Sequence, residues 1–526
     1  MSHDYDYIVI GAGSAGCAVA ARLAATSSVL LVEAGGHSRR LSVKAPAAFP
    51  KQFHGPLDWD YWTAPEPHLN GRMLHSPRGR MLGGSSGMNA LIYLRGNRLD
   101  YDSWASHGAE GWSYDDVLPV FRRGENNRDI HDSYHGSTGP QHVRRITDID
   151  PVTLALIDAA AGTGVRRNPD FNGAVQDGTG AFQVIEHNGA RFTSADAYLT
   201  PLRNNRSLTI RSKTLVHRII LDNGRALGVE VQSGNGPVER IHARGEVIVS
   251  GGAFNTPAVL QHSGIGDPEL LSPLGIPTNV SLPAVGQNLM EHPLTYVTFE
   301  LKKGYTGLHD ISDPRHLARW LLRRRGKLTS NIAEGGIHIR TESTMPAPNF
   351  QIVLSPSFFY QHGAQAWEVP AATMALSYLT PSSRGTVRIA SADPSRKPVV
   401  TYNMFSRDHE FTEMIDGIEY ARDVAANARR AGVIGDEITP GPAFPGRDGL
   451  RQWIRTTAQH TYHPACSARM GTPEDGVVDA RLKVHGVENL RVADTSVMPT
   501  VIRGNTHAPA AMIGERCADF IIQDRS

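Results

Sequence analysis

Residues 5 to 10, Tyr-Asp-Tyr-Ile-Val-Ile, end in an apolar run of the kind a strand buried on both faces carries, and the pattern predicts a strand there. After a glycine-spaced turn, the Ala-rich stretch from Cys17 predicts a helix, and Val29-Leu-Leu-Val-Glu33 predicts a second strand. Further on, apolar runs from Leu208 and up to Val231 flank Asp222-Asn223-Gly224, which reads as a hairpin turn. Glu246-Val-Ile-Val-Ser250 predicts another strand running into glycines, and Gly385 to Ile389 a short one. Leu490 to Asp494 then predicts a strand, and Ala508 to Ile522 a terminal helix. The basic stretch Arg315 to Lys327, with Leu317, Trp320 and Leu321 among its arginines, predicts an amphipathic helix with a solvated face. No apolar run approaches the roughly 18 residues of a spanning helix, so no membrane span is expected.

The first turn carries chemistry. Gly11-Ala-Gly13-Ser14-Ala15-Gly16 fits G-x-G-x-x-G between strand and helix, and Glu33 ends the second strand 22 residues after Gly11. Gly11 permits the tight turn, Gly13 lets a pyrophosphate approach the backbone, and Gly16 lets helix and sheet pack closely. The helix N-terminus supplies oriented N–H groups, and Glu33, followed by Ala34, accepts ribose hydroxyls, which disfavours a 2'-phosphate. The motif alone does not separate NAD from FAD; its place at the start of the chain leans to FAD.

At 526 residues the chain has room for several domain-sized units. The segment from about 300 to 455, with Phe358-Phe359-Tyr360 and Trp367, changes texture and reads as a separate lobe, while the last seventy residues return to strand-turn-helix patterning. The expectation is an α/β fold of two interleaved domains. A Rossmann-like FAD-binding domain takes 1–150, 195–300 and 455–526, and a substrate-binding domain on a mixed or antiparallel sheet takes 151–194 and 301–454. Lys plus Arg 53 against Asp plus Glu 52 gives a net charge of +1, which offers nucleic acid no broad basic footprint. Three cysteines are too few for a disulfide framework or a multi-cysteine zinc site, so no metal is expected. With no basic-then-apolar leader at the N-terminus, the expected compartment is the cytoplasm.

Several ordered segments make the resemblance specific. Gly79-Arg-Met-Leu-Gly83-Gly84-Ser-Ser86-Gly-Met88-Asn89-Ala90, Gly252-Ala-Phe-Asn-Thr-Pro257 through Gly266, Val285 to Pro293, and Tyr462-His463-Pro464 with Arg469-Met-Gly471 resemble the signatures of glucose-methanol-choline (GMC) oxidoreductases along the whole chain. That resemblance implies an FAD-dependent enzyme oxidising the CH–OH group of an alcohol. It implies that Gly83, Ser86, Asn89 and Ala90 run along the diphosphate and flavin, that Val216 meets the adenine, and that Asp494 and Thr506 contact the ribityl chain and pyrimidine. Where some members attach flavin through a His before the loop Asn, this chain has Met88, so the expected FAD is non-covalent.

Alcohol oxidation needs a base with a pKa near working pH, which histidine has. The resemblance assigns it to His463, with a second His or Asn about 44 residues later. That position is His507, and placing Asn505 there would require a two-residue slip. His460 reads as a supporting residue, and Glu334 as a residue near the substrate cavity that does not by itself identify a quaternary-ammonium binder. The substrate expected is a small primary alcohol, with aromatic and furanic alcohols among the candidates, and the flavin is reoxidised by oxygen or a quinone-like acceptor. A choline-dehydrogenase-like or sugar/polyol dehydrogenase is the alternative; a hydroxynitrile lyase or an NAD-dependent dehydrogenase is remote.

Overall fold

In the computed structural model, which describes residues 5–37, 39–363 and 367–525, the strand Tyr5–Ile10 lies inside a seven-stranded sheet. Val29–Val32 flanks it on one side and the last residues of Val238–Val249 on the other, both parallel. Leu208–Arg211 and Leu490–Val492 extend the parallel array outwards. The first half of Val238–Val249 instead pairs antiparallel with Arg225–Ser233, which returns through the Asn223-Gly224 turn to Thr214–Asp222. Ile8, Val9, Leu30, Leu31, Val247 and Ile248 are fully buried, as continuous apolar runs in a parallel sheet covered on both faces must be.

The Ala-rich stretch forms the helix Ser14–Leu23, which packs along the C-terminal helix His507–Gln523. A Cβ at Gly514 would stand 2.4 Å from the Ala15 carbonyl oxygen, so glycine sets the close approach. Arg22 forks onto Glu515 at 2.7 and 2.9 Å and fixes the two helices in register. The last segment of the chain is thereby brought beside the first turn.

A second seven-stranded sheet has the order Ile434–Thr439, Pro293–Leu301, Ala371–Tyr378, Phe350–Ser355, Gly335–Ile339 and Gly178–Ala181, with Gln459–His460 beside Pro293. It is antiparallel throughout. Residue 300, where the sequence reading sets a domain boundary, falls inside Pro293–Leu301; seven of that strand's residues pair with Ala371–Tyr378, which puts the strand in the second sheet. The strand Ala-Ala-Thr-Met-Ala-Leu-Ser-Tyr alternates faces. Ala372, Met374 and Leu376 join the core under the helices Pro151–Ala161 and Asp408–Arg430, whereas Thr373, Ala375 and Ser377 line a cavity between the two sheets.

Candidate active site

That cavity has a volume of about 810 Å³, and Phe49 and Phe53 are among the side chains that line it. One end is the glycine turn. Gly11 (φ +94°) would place a Cβ 2.5 Å from the Ser250 carbonyl oxygen, and Gly16 one only 1.9 Å from that of Gly11, so both are dictated by packing. Gly13 differs: a Cβ there meets nothing within 4 Å and would point into open space. Gly11, Gly13, Ser14 and Ala15 line the cavity, with Glu33, Ala34 and Val216 at the same end. Glu33 accepts the N–H groups of Ala12 (2.9 Å) and Gly35 (2.7 Å), and burial pushes its carboxyl up to about 7. Each of its oxygens keeps a lone pair for a ribose hydroxyl.

The loop at 83 to 90 packs directly on this turn. The Gly83 N–H donates to the Ala12 carbonyl at 2.8 Å, and a Cβ on Gly84 would sit 2.8 Å from Gly13 Cα. Ser86 Oγ donates to the Gly83 carbonyl and accepts the Ser194 N–H. Arg191, buried and with its guanidinium pKa lowered to about 9 by burial, donates to the Ser86 carbonyl (3.1 Å) and to Asn89 Oδ1 (2.7 Å). Asn331 Nδ2 holds the Ala90 carbonyl at 2.7 Å. Ser86, Asn89 and Ala90 line the cavity; Gly16 and Gly83 stand behind it. Asp494 accepts the Gly252 and Ser496 N–H groups and the Thr256 hydroxyl, so it ties the strand Leu490–Val492 to the start of the helix Gly252–His262. Thr506 lines the cavity just before the C-terminal helix. The opening at Gly13, the acid at Glu33 and the anchored loop fit a flavin adenine dinucleotide.

At the centre, the backbone N–H groups of His292 and His463 share one acceptor, Glu291 Oε1, at 2.9 and 2.8 Å. Burial pushes the Glu291 carboxyl up to about 8. The His463 and His292 rings meet through their Nδ1 atoms at 3.0 Å, and His463 Nε2 lies 3.0 Å from Asn505 Nδ2. Gln351 Nε2 donates to Asn505 Oδ1 at 3.0 Å and aims the other end of that amide at His463. As placed, the amide nitrogen donates, so His463 Nε2 accepts and its proton sits on Nδ1, directed at His292. A neutral His292 that accepts on Nδ1 carries its own proton on Nε2. Burial holds the His463 ring well below its ordinary pKa, with His292 adding to the effect, and pulls His292 down to about 3. The result is a neutral imidazole whose basic nitrogen points at the cavity.

His507 does not complete that pair. It is the first residue of the C-terminal helix, its Nδ1 is 2.8 Å from Ser14 Oγ, and burial lowers it to about 4. The close helix contact at Gly514 draws it to the dinucleotide turn, while the chain before the helix carries Asn505 to the second sheet. His460 is buried off the cavity with Nε2 at 2.8 Å from the His75 carbonyl. Glu334 is also off the cavity: it accepts the Asp150 N–H and the Thr153 hydroxyl at the start of the helix Pro151–Ala161. Of the aromatic run, Phe359 reaches the cavity, Phe358 stacks on Trp367, and Tyr360 packs on Tyr296 and Trp453. Sequence reasoning missed Glu291, His292, Gln351 and Arg191 as site residues; the one signal for the first two was an acid–histidine pair directly before an apolar strand.

Family models described as GMC oxidoreductase match residues 5–294 and 381–514. The chain belongs to the GMC oxidoreductase family. Among its relatives in that family, an oxygen-dependent choline dehydrogenase of Photobacterium profundum is 36% identical over 99% of this chain and 94% of that protein. An uncharacterised GMC-type oxidoreductase of Mycobacterium tuberculosis is 38% identical over 99% and 100%. Of solved structures, pyridoxine 4-oxidase from Mesorbium loti superposes with a TM-score of 0.87 at 28% identity, covering 98% of each chain. Formate oxidase from Aspergillus oryzae RIB40 superposes with a TM-score of 0.93 at 26% identity, covering 100% of this chain and 99% of the other. This GMC chain is an oxidoreductase, and among its described residues no helix is long and apolar enough to cross a membrane.

Proposed function

We propose that this GMC oxidoreductase binds FAD non-covalently and oxidises an uncharged primary alcohol with an aromatic, furanic or other apolar body to the aldehyde, with His463 as base and Asn505 as its partner. The observation that carries the reading is the contact between His463 Nε2 and Asn505 Nδ2, facing the same cavity as the dinucleotide turn. The substrate hydroxyl inserts there, donating to Nε2 and accepting from the amide. His463 takes the hydroxyl proton on Nε2 while Nδ1–H stays on His292, and Asn505 Nδ2 donates to the developing alkoxide, stabilising its charge. Bound FAD supplies the hydride acceptor; the Gly11–Gly16 turn, Glu33 and the loop at 83 to 90 hold it. Oxygen is the favoured terminal acceptor, in line with the name of the Photobacterium relative.

The substrate class rests on the cavity wall. Among the described residues, the side chains that the second sheet turns inwards are Leu294, Val353, Ser355, Thr373, Ala375 and Ser377, all uncharged. Carboxylates reach the cavity elsewhere only with partners in place: Glu33 and Asp494 on backbone N–H groups, Asp58 on those of His54, Asp60 and Arg78, and Asp60 on His54. Choline is the second reading, favoured by the names of relatives.

The test is an alcohol panel under anaerobic conditions, followed by flavin absorbance. Benzylic, furanic and medium-chain alcohols should bleach the flavin and choline should not; bleaching by choline alone would reverse the substrate reading. Asn505→Ala should slow bleaching more than tenfold while His507→Ala does so less, and the opposite order would return the second catalytic position to His507.

A further inference from the structure

The basic stretch Arg315 to Lys327 forms the helix Pro314–Arg323, ended by Arg324 in the left-handed region (φ 53°). Trp320 is the only buried residue of this helix. Its indole N–H donates to the Gly189 carbonyl at 2.7 Å, and the Arg324 guanidinium lies 4.1 Å over its ring. A surface helix ordinarily turns its leucines inwards. Here Leu317, Leu321 and Leu322 are 43%, 46% and 84% exposed. At about 100° per residue, Leu317, Leu321, Ala318 and Leu322 sweep an arc of roughly 140°, and Arg315, Arg319 and Arg323 occupy the next roughly 80°, before the side anchored by Trp320.

The charge is as uneven as the apolar surface. Six of the thirteen residues from Arg315 to Lys327 are Arg or Lys and none is acidic, in a chain whose net charge is +1. Arg315, Arg325 and Lys327 pair with Asp313, Asp148 and Asp310. Arg319, Arg323 and Arg324 have no carboxylate partner among the described residues. Nearby, Leu41 is 57% exposed beside exposed Arg40, on the short helix Leu41–Lys44 that packs against Ala190–Arg191, next to Gly189. The segment Lys327–Thr329 packs on Pro46–Gln52, whose Phe49 lines the cavity.

We propose that this face is an interfacial anchor that docks on an anionic lipid bilayer. The leucines enter the headgroup–acyl boundary and the arginines meet lipid phosphates, the division of labour of a monotopic amphipathic helix. The charge argues against a second copy as the occupant: a two-fold contact through this face would set the cationic cluster against itself.

The test is co-sedimentation of the flavin-loaded full chain with vesicles of phosphatidylcholine alone or mixed with phosphatidylglycerol. Binding should require phosphatidylglycerol and weaken with added salt. At about 1 kcal/mol per surface arginine, Arg319→Ala with Arg323→Ala should cost roughly thirty-fold in partitioning. The triple change Leu317→Ser, Leu321→Ser, Leu322→Ser should abolish pelleting, with circular dichroism and flavin content unchanged because all three side chains are exposed. No binding to phosphatidylglycerol vesicles at low salt would overturn the proposal. So would equal binding by the variants, or a dimer in light scattering that only the leucine variant dissolves. None of these results bears on the alcohol chemistry.

Discussion

Asn505 and His463, 42 residues apart in sequence, meet at 3.0 Å, and each is held from behind by a different residue. Gln351 sets the Asn505 amide, and His292 sets the His463 ring. The base is therefore prepared by groups that need never touch substrate.

Replacing His463 with Ala should slow flavin reduction by about 10²- to 10⁴-fold while the flavin stays bound, because the base is lost and the dinucleotide turn is untouched. Stopped-flow bleaching with the best alcohol checks this, and a rate within tenfold of wild type would remove His463 from the chemistry.

His292 is a positioning residue. His292→Leu removes the acceptor that keeps the His463 proton on Nδ1, so the reduction rate should fall at least tenfold with KM nearly unchanged. His292→Asn or Gln, which restores an acceptor, should recover part of it. A loss confined to KM would assign His292 to substrate binding instead.

The pH dependence follows from burial. His463 acts only when neutral, and its pKa lies well below 6.5, so the reduction rate should be level from about pH 6.5 upwards and fall only on further acidification. An acid limb centred at or above pH 7 would contradict this environment.

Glu291 gives a stability test of opposite sign. Its folded pKa, about 8, exceeds its unfolded value, so the stability it contributes is full below about pH 4.5 and is lost as pH rises through 8. His292 and His463, with lowered values, favour folding as pH rises towards 6.5 and add no slope beyond it. Between pH 7 and 8, Glu291→Gln should therefore show a smaller fall in Tm than wild type; parallel curves would mean that the carboxyl ionises freely.

Two glycines of the same turn should fail differently. Gly13→Val has room in the protein and should yield folded chain without flavin, since the new side chain occupies the diphosphate's path. Gly16→Val collides with the Gly11 carbonyl and should compromise folding itself. Flavin-loaded Gly13→Val would mean that the turn does not hold the diphosphate. With Met88 before Asn89, acid precipitation of wild type should leave the yellow colour in the supernatant.

The first turn was legible in the sequence because its requirements are local: a strand, three glycines and an acid within thirty residues dictate the same geometry wherever they occur. The strands from 208 to 250 and the terminal helix were legible for the same reason. The pairing of His463 was not, since it depends on where the C-terminal helix begins. Tight packing of Gly514 on Ala15 swings His507 to Ser14 and leaves Asn505 facing His463. Gln351 and Arg191 carry no local signature at all; they act at separations of 154 and 102 residues, fixed only by tertiary packing. Residue 300 looked like a boundary because composition changes there, but strand pairing ignores composition.

The two-faced strand Ala371–Tyr378 has a consequence for how such an enzyme diversifies. Thr373, Ala375 and Ser377 meet the cavity, while Ala372, Met374 and Leu376 meet the helical layer behind it. Changes at the odd positions reshape what the chamber admits and leave the supporting layer as it was. The freest of the three is Ala375, since the Thr373 hydroxyl also holds the Phe359 N–H and the Ser357 carbonyl and Ser377 the Thr461 hydroxyl, so a change of admitted alcohol costs least at that one position.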